Sequence, residues 1–544
     1  MRFILNSVQG LSKKRLCARL CILIPLGMLC AQTLTLATPA ASTNTPAPVL
    51  PNSSTLVNFN TNHLQITRFD SVAAAIDAHD GEIAYFNGIF YLYGTCYDCG
   101  YEWGNKTAPF CGFKAYTSKD LVNWTDQGFL FDAKTPVWQS RCNGGTYGCY
   151  RPHVVYNKKN KLYVLWINVY DNRVGYRVFT STNPVGPFTE VAEPTLAVNS
   201  DAAVAGLNNG DHDVFVDDGG VAYIAYTDWR SGGAIAVEKL NADYTSGTGE
   251  CVKAVTPGQT EAPALLKRNG KYYILYSDPN CGYCAGTGTS YRTAPSPLGP
   301  WSSGIKISDD SCGGQPSFVS TLKLNSDVIF LYGSDLWNHG AKNEALANFY
   351  WAPLVFAADG SISPIVCESL VNVALSSDTT PKPAVADLDA TSGADGFTSY
   401  CDLSGNIQRS QSFVATRTGT LSAVGFSTFK QGYPNAGLTF EIYLADRAGL
   451  PTGKALISIL ALPDSIGWAS KLITIQPKIT VNQGVSYALV VKSASSQGGY
   501  GIEYNDSAPY PAGREAYSDN NGRTFSVETN RSLMFKTFVH VPSF

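Results

Sequence analysis

The chain has 544 residues, 44% hydrophobic and 12% aromatic but only 15% charged, a balance that excludes a disordered or coiled-coil protein. Its 50 glycines, 29 prolines and 30 tyrosines against three methionines point to short strands and turns, because tyrosine suits a pleated surface and Gly and Pro punctuate it. The formal net charge is −3; beyond residue 40 there remain 35 basic against 43 acidic residues, a net −8, which excludes a nucleic-acid partner held by basic patches.

In chain order, residues 1–40 carry Arg2, Lys13, Lys14, Arg15 and Arg19 ahead of the apolar run 20–31. A basic start, a short apolar run and small residues after it form the pattern of a cleaved signal peptide, and the run is shorter than the roughly 20 apolar residues of a spanning helix. The expectation is a secreted, extracellular protein with no membrane contact after cleavage. Residues 41–69, opening on a stretch rich in Ala, Ser, Thr, Pro and Asn, read as a low-complexity spacer.

From residue 70 to 375 an apolar strand, a turn and an aromatic strand recur. The aromatic strands are anchored on Tyr91, Tyr163, Tyr223, Tyr273 and Phe330, spaced 50 to 72 residues apart. Five units, each long enough for four strands, predict a five-bladed β-propeller. The strands before the anchors start at Asp80-Gly-Glu-Ile, Tyr150-Arg-Pro-His, Asp211-His-Asp-Val, Glu261-Ala-Pro-Ala and Gln315-Pro-Ser-Phe. Their leading residues precede the anchors by 11 to 15 positions, so they are expected at similar places in their blades, converging at one mouth of a central channel. Asp217-Asp218-Gly219-Gly220 reads as a hairpin turn.

Residues 376–386 contain Asp-Thr-Thr-Pro-Lys-Pro and read as a linker. Residues 387–544 predict a second all-β domain, a jelly-roll-like β-sandwich with strands at 419–427, 438–445 and 486–491. No comparable set of carboxylates leads strands there, so the chemistry is expected in the first domain.

Of 14 cysteines, Cys17, Cys21 and Cys30 fall in the leader. The remaining 11 include Cys96 with Cys99 and Cys281 with Cys284, a spacing that fits a four-thiolate zinc site; an oxidising compartment favours disulfides instead, with at least one thiol left over. Asn52, Asn105, Asn123, Asn505 and Asn530 head glycosylation sequons, used only in a eukaryotic secretory route.

Hydrolysis of a glycosidic bond with inversion needs a carboxylic acid at the leaving oxygen and a carboxylate that activates water on the opposite face. A third carboxylate nearby raises the pKa of the acid, because like charges disfavour ionisation. Asp80, Asp211 and Glu261 supply the number and type, although acids at strand starts also cap turns. Asp213 and Glu82 compete with their neighbours Asp211 and Asp80. His79, His153 and His212 read as packing residues rather than metal ligands, and Trp103, Trp138, Trp229 and Trp337 stand on loops where they stack on sugars or pack.

The stretches Asp80-Gly-Glu-Ile before Gly88-Ile-Phe-Tyr-Leu-Tyr, Thr117-Ser-Lys-Asp-Leu-Val-Asn-Trp, Arg151-Pro-His-Val-Val-Tyr-Asn, Asp211-His-Asp-Val-Phe-Val-Asp-Asp-Gly, Glu261-Ala-Pro-Ala-Leu-Leu-Lys-Arg-Asn-Gly and Leu298-Gly-Pro-Trp together resemble glycoside hydrolase family 43 over roughly residues 75–365. The resemblance implies an inverting propeller hydrolase with Asp80 as general base, Asp211 as pKa modulator and orienting carboxylate, and Glu261 as general acid. Within the family the sequence is most similar to the branch containing exo-acting galactan 1,3-β-galactosidases. It departs from that branch at Asp80, where glycine is typical, and at Tyr150, where glutamate precedes Arg-Pro; Gln315 matches.

Gln315, Arg151, Tyr150 and Trp229 are the expected substrate-binding residues, with a polysaccharide or oligosaccharide as partner and neither metal nor cofactor. The sequence leaves open a catalytically silent carbohydrate-binding propeller and a zinc-stabilised structural protein.

Overall fold

Each aromatic run becomes the second strand of an antiparallel sheet. The structure is a computed structural model describing residues 53–541 apart from 106, 200–207, 279–285, 325–327, 338–342, 376–386, 393–399 and 507, all within one compact unit, Ala47–Phe544. The expected leader and linker lie outside the described residues.

After β1 (Ser53–Val57), the first sheet is formed by β2 (His79–Phe86), β3 (Ile89–Thr95), β4 (Phe113–Ser118) and β5 (Thr125–Phe129). The second comprises β6 (Cys149–Asn157), β7 (Leu162–Val169), β8 (Tyr176–Ser181) and β9 (Thr189–Ala192). The third comprises β10 (Asn209–Val216), β11 (Ala222–Asp228), β12 (Ala234–Leu240) and β13 (Gly247–Val252). The fourth holds β14 (Glu261–Arg268), β15 (Lys271–Ser277), β16 (Thr289–Ala294) and β17 (Ile305–Ser308), and the fifth β18 (Gln315–Lys323), β19 (Val328–Leu336) and β20 (Asn348–Pro353).

Five apolar cores join these sheets in a closed ring. Tyr93 with Leu165 packs sheet one on two, Trp166 with Ile224 two on three, Val237 with Ile274 three on four, Tyr273 with Tyr332 four on five, and Leu331 with Leu92 five on one. A second strand with a neighbouring sheet on both faces must be apolar on both, which is why Leu92, Tyr93, Leu165 and Trp166 are adjacent and all buried. Burying each such side chain contributes about 1.5–3 kcal/mol.

The seam between the last and first sheets is closed by β1, which pairs antiparallel with β21 (Leu370–Ala374) and places Leu56, Val371 and Val373 in the shared core. The spacer expected over 41–69 therefore ends before Ser53. The alternating burial of Ser53–Val57 is the period-two pattern of a half-buried strand, which the small polar residues conceal. Asn58 then acts as one more strand unit on the edge of β20: its Nδ2 donates to the Trp351 carbonyl at 3.1 Å and its Oδ1 accepts the Trp351 N–H at 3.1 Å. The Asp217–Gly220 segment is the β10–β11 turn, as its residues suggested, with the Asp217 N–H on the Val221 carbonyl.

The C-terminal residues form two sheets. The long strand Gly419–Gln431 pairs with Phe535–His540, Gly499–Asn505, Lys471–Ile475 and Ile479–Val481. The second sheet runs in the order Pro451–Ala461, Leu438–Ala445, Ser486–Ser493, Gln408–Val414, Glu515–Ser518 and Ser526–Glu528. Phe426, Phe440, Leu489 and Phe535 share one core between them. This module is fastened to the ring through main chain: the Ala75 N–H donates to Ser470 O at 2.7 Å and the Leu472 N–H to Ala73 O at 2.8 Å.

Six of the nine described cysteines beyond the leader form the disulfides Cys99–Cys111, Cys142–Cys149 and Cys312–Cys367. Cys96, Cys251 and Cys401 are thiols, more than the one leftover the odd count required. Cys99 reaches Cys111 instead of sharing a site with Cys96, and Cys281 and Cys284 lie outside the described residues.

Candidate active site

The first strands of the five sheets line the ring's interior, and each starts with an irregularity. Register shifts separate His79 from Glu82, Tyr150 from His153, Asn209 from His212, Glu261 from Ala264, and Pro316 from Phe318. A bulge adds an unpaired residue and re-aims its side chain. Asp80, Arg151 and Ala262 occupy the second position of their bulges with φ of 55°, 55° and 49°, a left-handed conformation costly for residues with a Cβ and concentrated at functional sites.

The bulges correct the expectation of equivalent strand starts. Aligned by their pairing with the second strands, Glu261 is the first residue of its bulge, Asp80 the second and Asp211 the third. Three successive backbone positions, each from a different sheet, thus supply the carboxylates.

A chain of hydrogen bonds nevertheless brings them together. Asp80 is buried; its Oδ1 accepts the Thr95 hydroxyl at 2.7 Å and the Arg151 N–H at 3.0 Å, and its Oδ2 accepts the Tyr97 hydroxyl at 3.1 Å. The Arg151 guanidinium reaches Asp211 Oδ2 at 2.8 Å and the carbonyls of Pro316 and Ser317 at 3.4 and 3.2 Å. The same Asp211 oxygen accepts the N–H of Ala262, beside Glu261, at 3.2 Å. Gln315 Nε2 donates to Glu261 Oε2 at 3.1 Å while Trp337 Nε1 donates to Gln315 Oε1 at 3.1 Å. Asp335 Oδ2 closes the circuit by accepting the Asp80 N–H at 2.9 Å.

Burial pushes the Asp80 carboxyl up to about 7, with the Asp335 charge adding to the rise and Arg151, Thr95 and the Arg151 N–H opposing it. Burial, followed by the charges of Asp211 and Glu261, raises the Tyr170 hydroxyl, which stays neutral beside them. Burial opposes a charge on His79, but Asp335 and Asp77 outweigh it and raise its pKa.

Glu82 and Asp213 each accept a backbone N–H from the next sheet. Glu82 Oε1 accepts the Val154 N–H at 2.6 Å and Asp213 Oδ2 the Leu265 N–H at 2.6 Å, so each carboxylate stitches its strand to the next sheet's first strand where no ladder exists. His153 lies between them, 3.3 Å from Asp213 and 3.7 Å from Glu82. Burial pushes Glu82 up to about 7. His212 is held neutral by burial and by the charges of His153 and Arg151.

Of the other expected residues, Tyr150 is buried and stacks on Tyr101 at 5.6 Å. Trp229 lies against the start of β10: a Cβ on Gly210 would come within 2.5 Å of its indole nitrogen, so a glycine beside Asp211 lets this ring approach. Trp337 is buried and holds Gln315. Trp138 is a core residue packed on Phe131 and Phe179, because the short helix Pro136–Cys142 turns it inward; Trp103 is exposed against Tyr147. Among the described residues no group of three or more His, Cys, Asp or Glu side chains could hold a metal ion.

The sequence reading missed Thr95, Tyr97, Tyr170, Asp335 and the role of Trp337. A signal existed for two of them. The second strands pair Thr95, Asn168, Asp228, Ser277 and Asp335 with His79, Tyr150, Asn209, Glu261 and Gln315, four or five positions after each aromatic anchor, and all five are buried polar residues.

Residues 97–353 match the family described as Glycosyl hydrolases family 43; the match contains Arg151, Asp211, Glu261 and Gln315, and Asp80 precedes it. A β-D-galactofuranosidase of Aspergillus niger is 29% identical over 232 residues, 41% of this chain and 63% of that protein. An arabinoxylan arabinofuranohydrolase of Bacillus subtilis is 28% identical over 253 residues, 40% of this chain and 47% of that protein. The matched stretches thus span less than two thirds of these relatives. An exo-β-1,3-galactanase structure from Phanerochaete chrysosporium is 20% identical with a TM-score of 0.47, covering 83% of this chain and all of that one.

Proposed function

Because residues 97–353 match glycosyl hydrolase family 43, we propose that the chain is a glycosidase of that family, a secreted enzyme cleaving O-glycosidic bonds of neutral polysaccharides with inversion. The five sheets are read as a five-bladed β-propeller over 70–375, and the two C-terminal sheets as a jelly-roll-like β-sandwich over 387–544. The carrying observation is the hydrogen-bonded circuit that joins Asp80, Arg151, Asp211, Glu261 and Gln315 across five strands.

In this reading Glu261 gives its proton to the leaving oxygen as the glycosidic bond breaks. Asp80 takes a proton from the water that attacks the anomeric carbon from the opposite face. A carboxylate offers about four acceptor sites; three donors occupy Asp80, and the water takes the remaining one. A base with a pKa near the working pH combines adequate ionisation with adequate proton affinity, which burial of Asp80 supplies. Asp211, pinned by Arg151 and by the N–H of Ala262 next to Glu261, is assigned the role of modulating and orienting the acid. Gln315 fixes the Glu261 carboxyl, Trp229 lines the sugar's approach, and the buried Tyr150 supports the site from beneath by stacking on Tyr101.

The relatives' printed names include furanosidases of galactose and arabinose, so a furanoside or galactoside is the bond to test first. Purified protein is assayed on nitrophenyl arabinofuranosides, galactofuranosides, galactopyranosides and xylosides, and on β-1,3-galactan. Glu261→Gln is expected to lose about 10²- to 10⁴-fold on unactivated substrates while keeping its thermal midpoint. Wild-type binding without turnover would support the silent carbohydrate-binding reading, and unchanged turnover by the variant would remove Glu261 from the mechanism.

A further inference from the structure

We propose that the cleft between the ring and the C-terminal module is a second saccharide site, taking further neutral sugar units of the polysaccharide that the active site cleaves. The cavity measures about 300 Å³, within the range of small-ligand pockets. Phe429, Tyr433 and Trp468 of the C-terminal module line it together with the polar side chains of Glu102, Asn343 and Gln431.

That composition selects the ligand class. Aromatic faces take the apolar C–H face of a sugar ring, and carboxylate and amide groups take its hydroxyls, accepting and donating in pairs. Among the described residues no lysine or arginine lines the cleft, and the nearby Lys430 ammonium is engaged by the Trp468 ring and the Asp98 charge, so the cleft wall offers a phosphate or uronic acid no counter-charge of its own. Tyr433 remains 62% exposed and meets Trp468 edge-on at 5.3 Å, a large ring held at the surface without being spent on the core.

The site is also preformed. Asn343 Nδ2 donates to the Trp468 carbonyl at 3.3 Å, and the next residue, Ala469, donates its N–H to Asp98 Oδ1 at 2.6 Å. Lys430 Nζ sits 4.1 Å from the centre of the Trp468 ring. At Gly100, φ 86°, an added Cβ would stand 3.3 Å from the Trp468 ring, so the two walls meet at a glycine. Rigid walls avoid the ordering cost of binding. Tyr101 connects the cleft to the reaction centre: it lines the cavity, and its ring contacts Tyr97 at 5.6 Å, whose hydroxyl donates to Asp80. Two packed rings, Tyr101 and Tyr97, thus stand between the cleft and the Asp80 carboxyl.

The inference rests on the glycosidase reading, and the test separates the two. Tyr433→Ala, which touches little of the core, and Trp468→Ala are assayed on a small nitrophenyl glycoside and on the polymer, with thermal midpoints as the folding control. Expected are unchanged kcat and KM on the small substrate and a KM for polymer raised about tenfold. Unchanged polymer KM in both variants overturns the site. If wild-type protein turns over no small glycoside, the glycosidase reading fails instead. Titration with arabino-, xylo- and galacto-oligosaccharides then decides the site by itself: binding weakened by Tyr433→Ala supports it, and binding absent or indifferent to that change overturns it.

Discussion

The backbone N–H of Arg151 donates to Asp80 Oδ1 at 3.0 Å, a contact made from a residue in the left-handed conformation at φ 55°. The same residue's guanidinium lies 2.8 Å from Asp211. One bulged arginine thus fixes two carboxylates of neighbouring strands, and its charge is one of the influences that hold Asp80 down against the effect of burial.

The raised Asp80 pKa predicts the pH dependence of turnover. In the proposed mechanism the Asp80 carboxyl, protonated below about pH 7, cannot accept the water's proton there. The kcat/KM should therefore fall about tenfold per pH unit on the acid side, while the alkaline side of the profile reports loss of the Glu261 proton. Asp80→Asn should cost about 10²- to 10⁴-fold, with partial restoration by azide. A full-activity Asp80→Asn enzyme would move the water-orienting role to Gln315.

Trp337→Phe removes the N–H that orients the Gln315 amide towards Glu261. A hydrogen bond of this kind is worth about 0.5–1.5 kcal/mol net, so kcat should fall about three- to tenfold with little change in KM. Steady-state kinetics on one small substrate measure the split. A change confined to KM would mean that Gln315 binds substrate without orienting the acid.

Asp213→Ala tests whether this carboxylate serves the fold and not the proposed reaction. It leaves the Leu265 N–H without the 2.6 Å acceptor it has now, costing about 1–3 kcal/mol. Chemical denaturation should register that loss while kcat of the folded enzyme stays within severalfold. A collapse of kcat at unchanged stability would give Asp213 the role assigned to Asp211.

Stability should fall as pH rises from about 4 to 7. Asp80, Glu82, Asp98 and Glu344 are each pushed up to about 7, in every case chiefly by burial. Between the ordinary carboxylate range and that value the folded state binds more protons than the unfolded state, so raising pH favours unfolding. His79 and His153, also raised, act in the same direction; His212, lowered, runs the other way. The thermal midpoint should be higher near pH 5 than near pH 8, and Glu344→Gln should flatten part of the slope. A midpoint that rises across this interval would contradict the burial of these groups.

The sequence by itself determined the all-β character, the five repeats and the residues that lead their first strands. Runs such as Leu162-Tyr-Val-Leu-Trp, short, aromatic and flanked by turn residues, fit strands packed on both faces, because their length and composition, more than their periodicity, favour a buried strand over a helix. It also singled out Asp80, Asp211 and Glu261. Tertiary structure alone decided how they meet. Their bulge positions differ by one residue from sheet to sheet, and a bulge depends on pairing with a partner strand, which no linear spacing encodes. It likewise decided that Glu82 and Asp213 bind backbone of the next sheet, that Ser53–Val57 closes the ring, and that Trp468 and Glu102 line one cleft. Each of these joins residues far apart in the chain through contacts that exist only once the ring has closed.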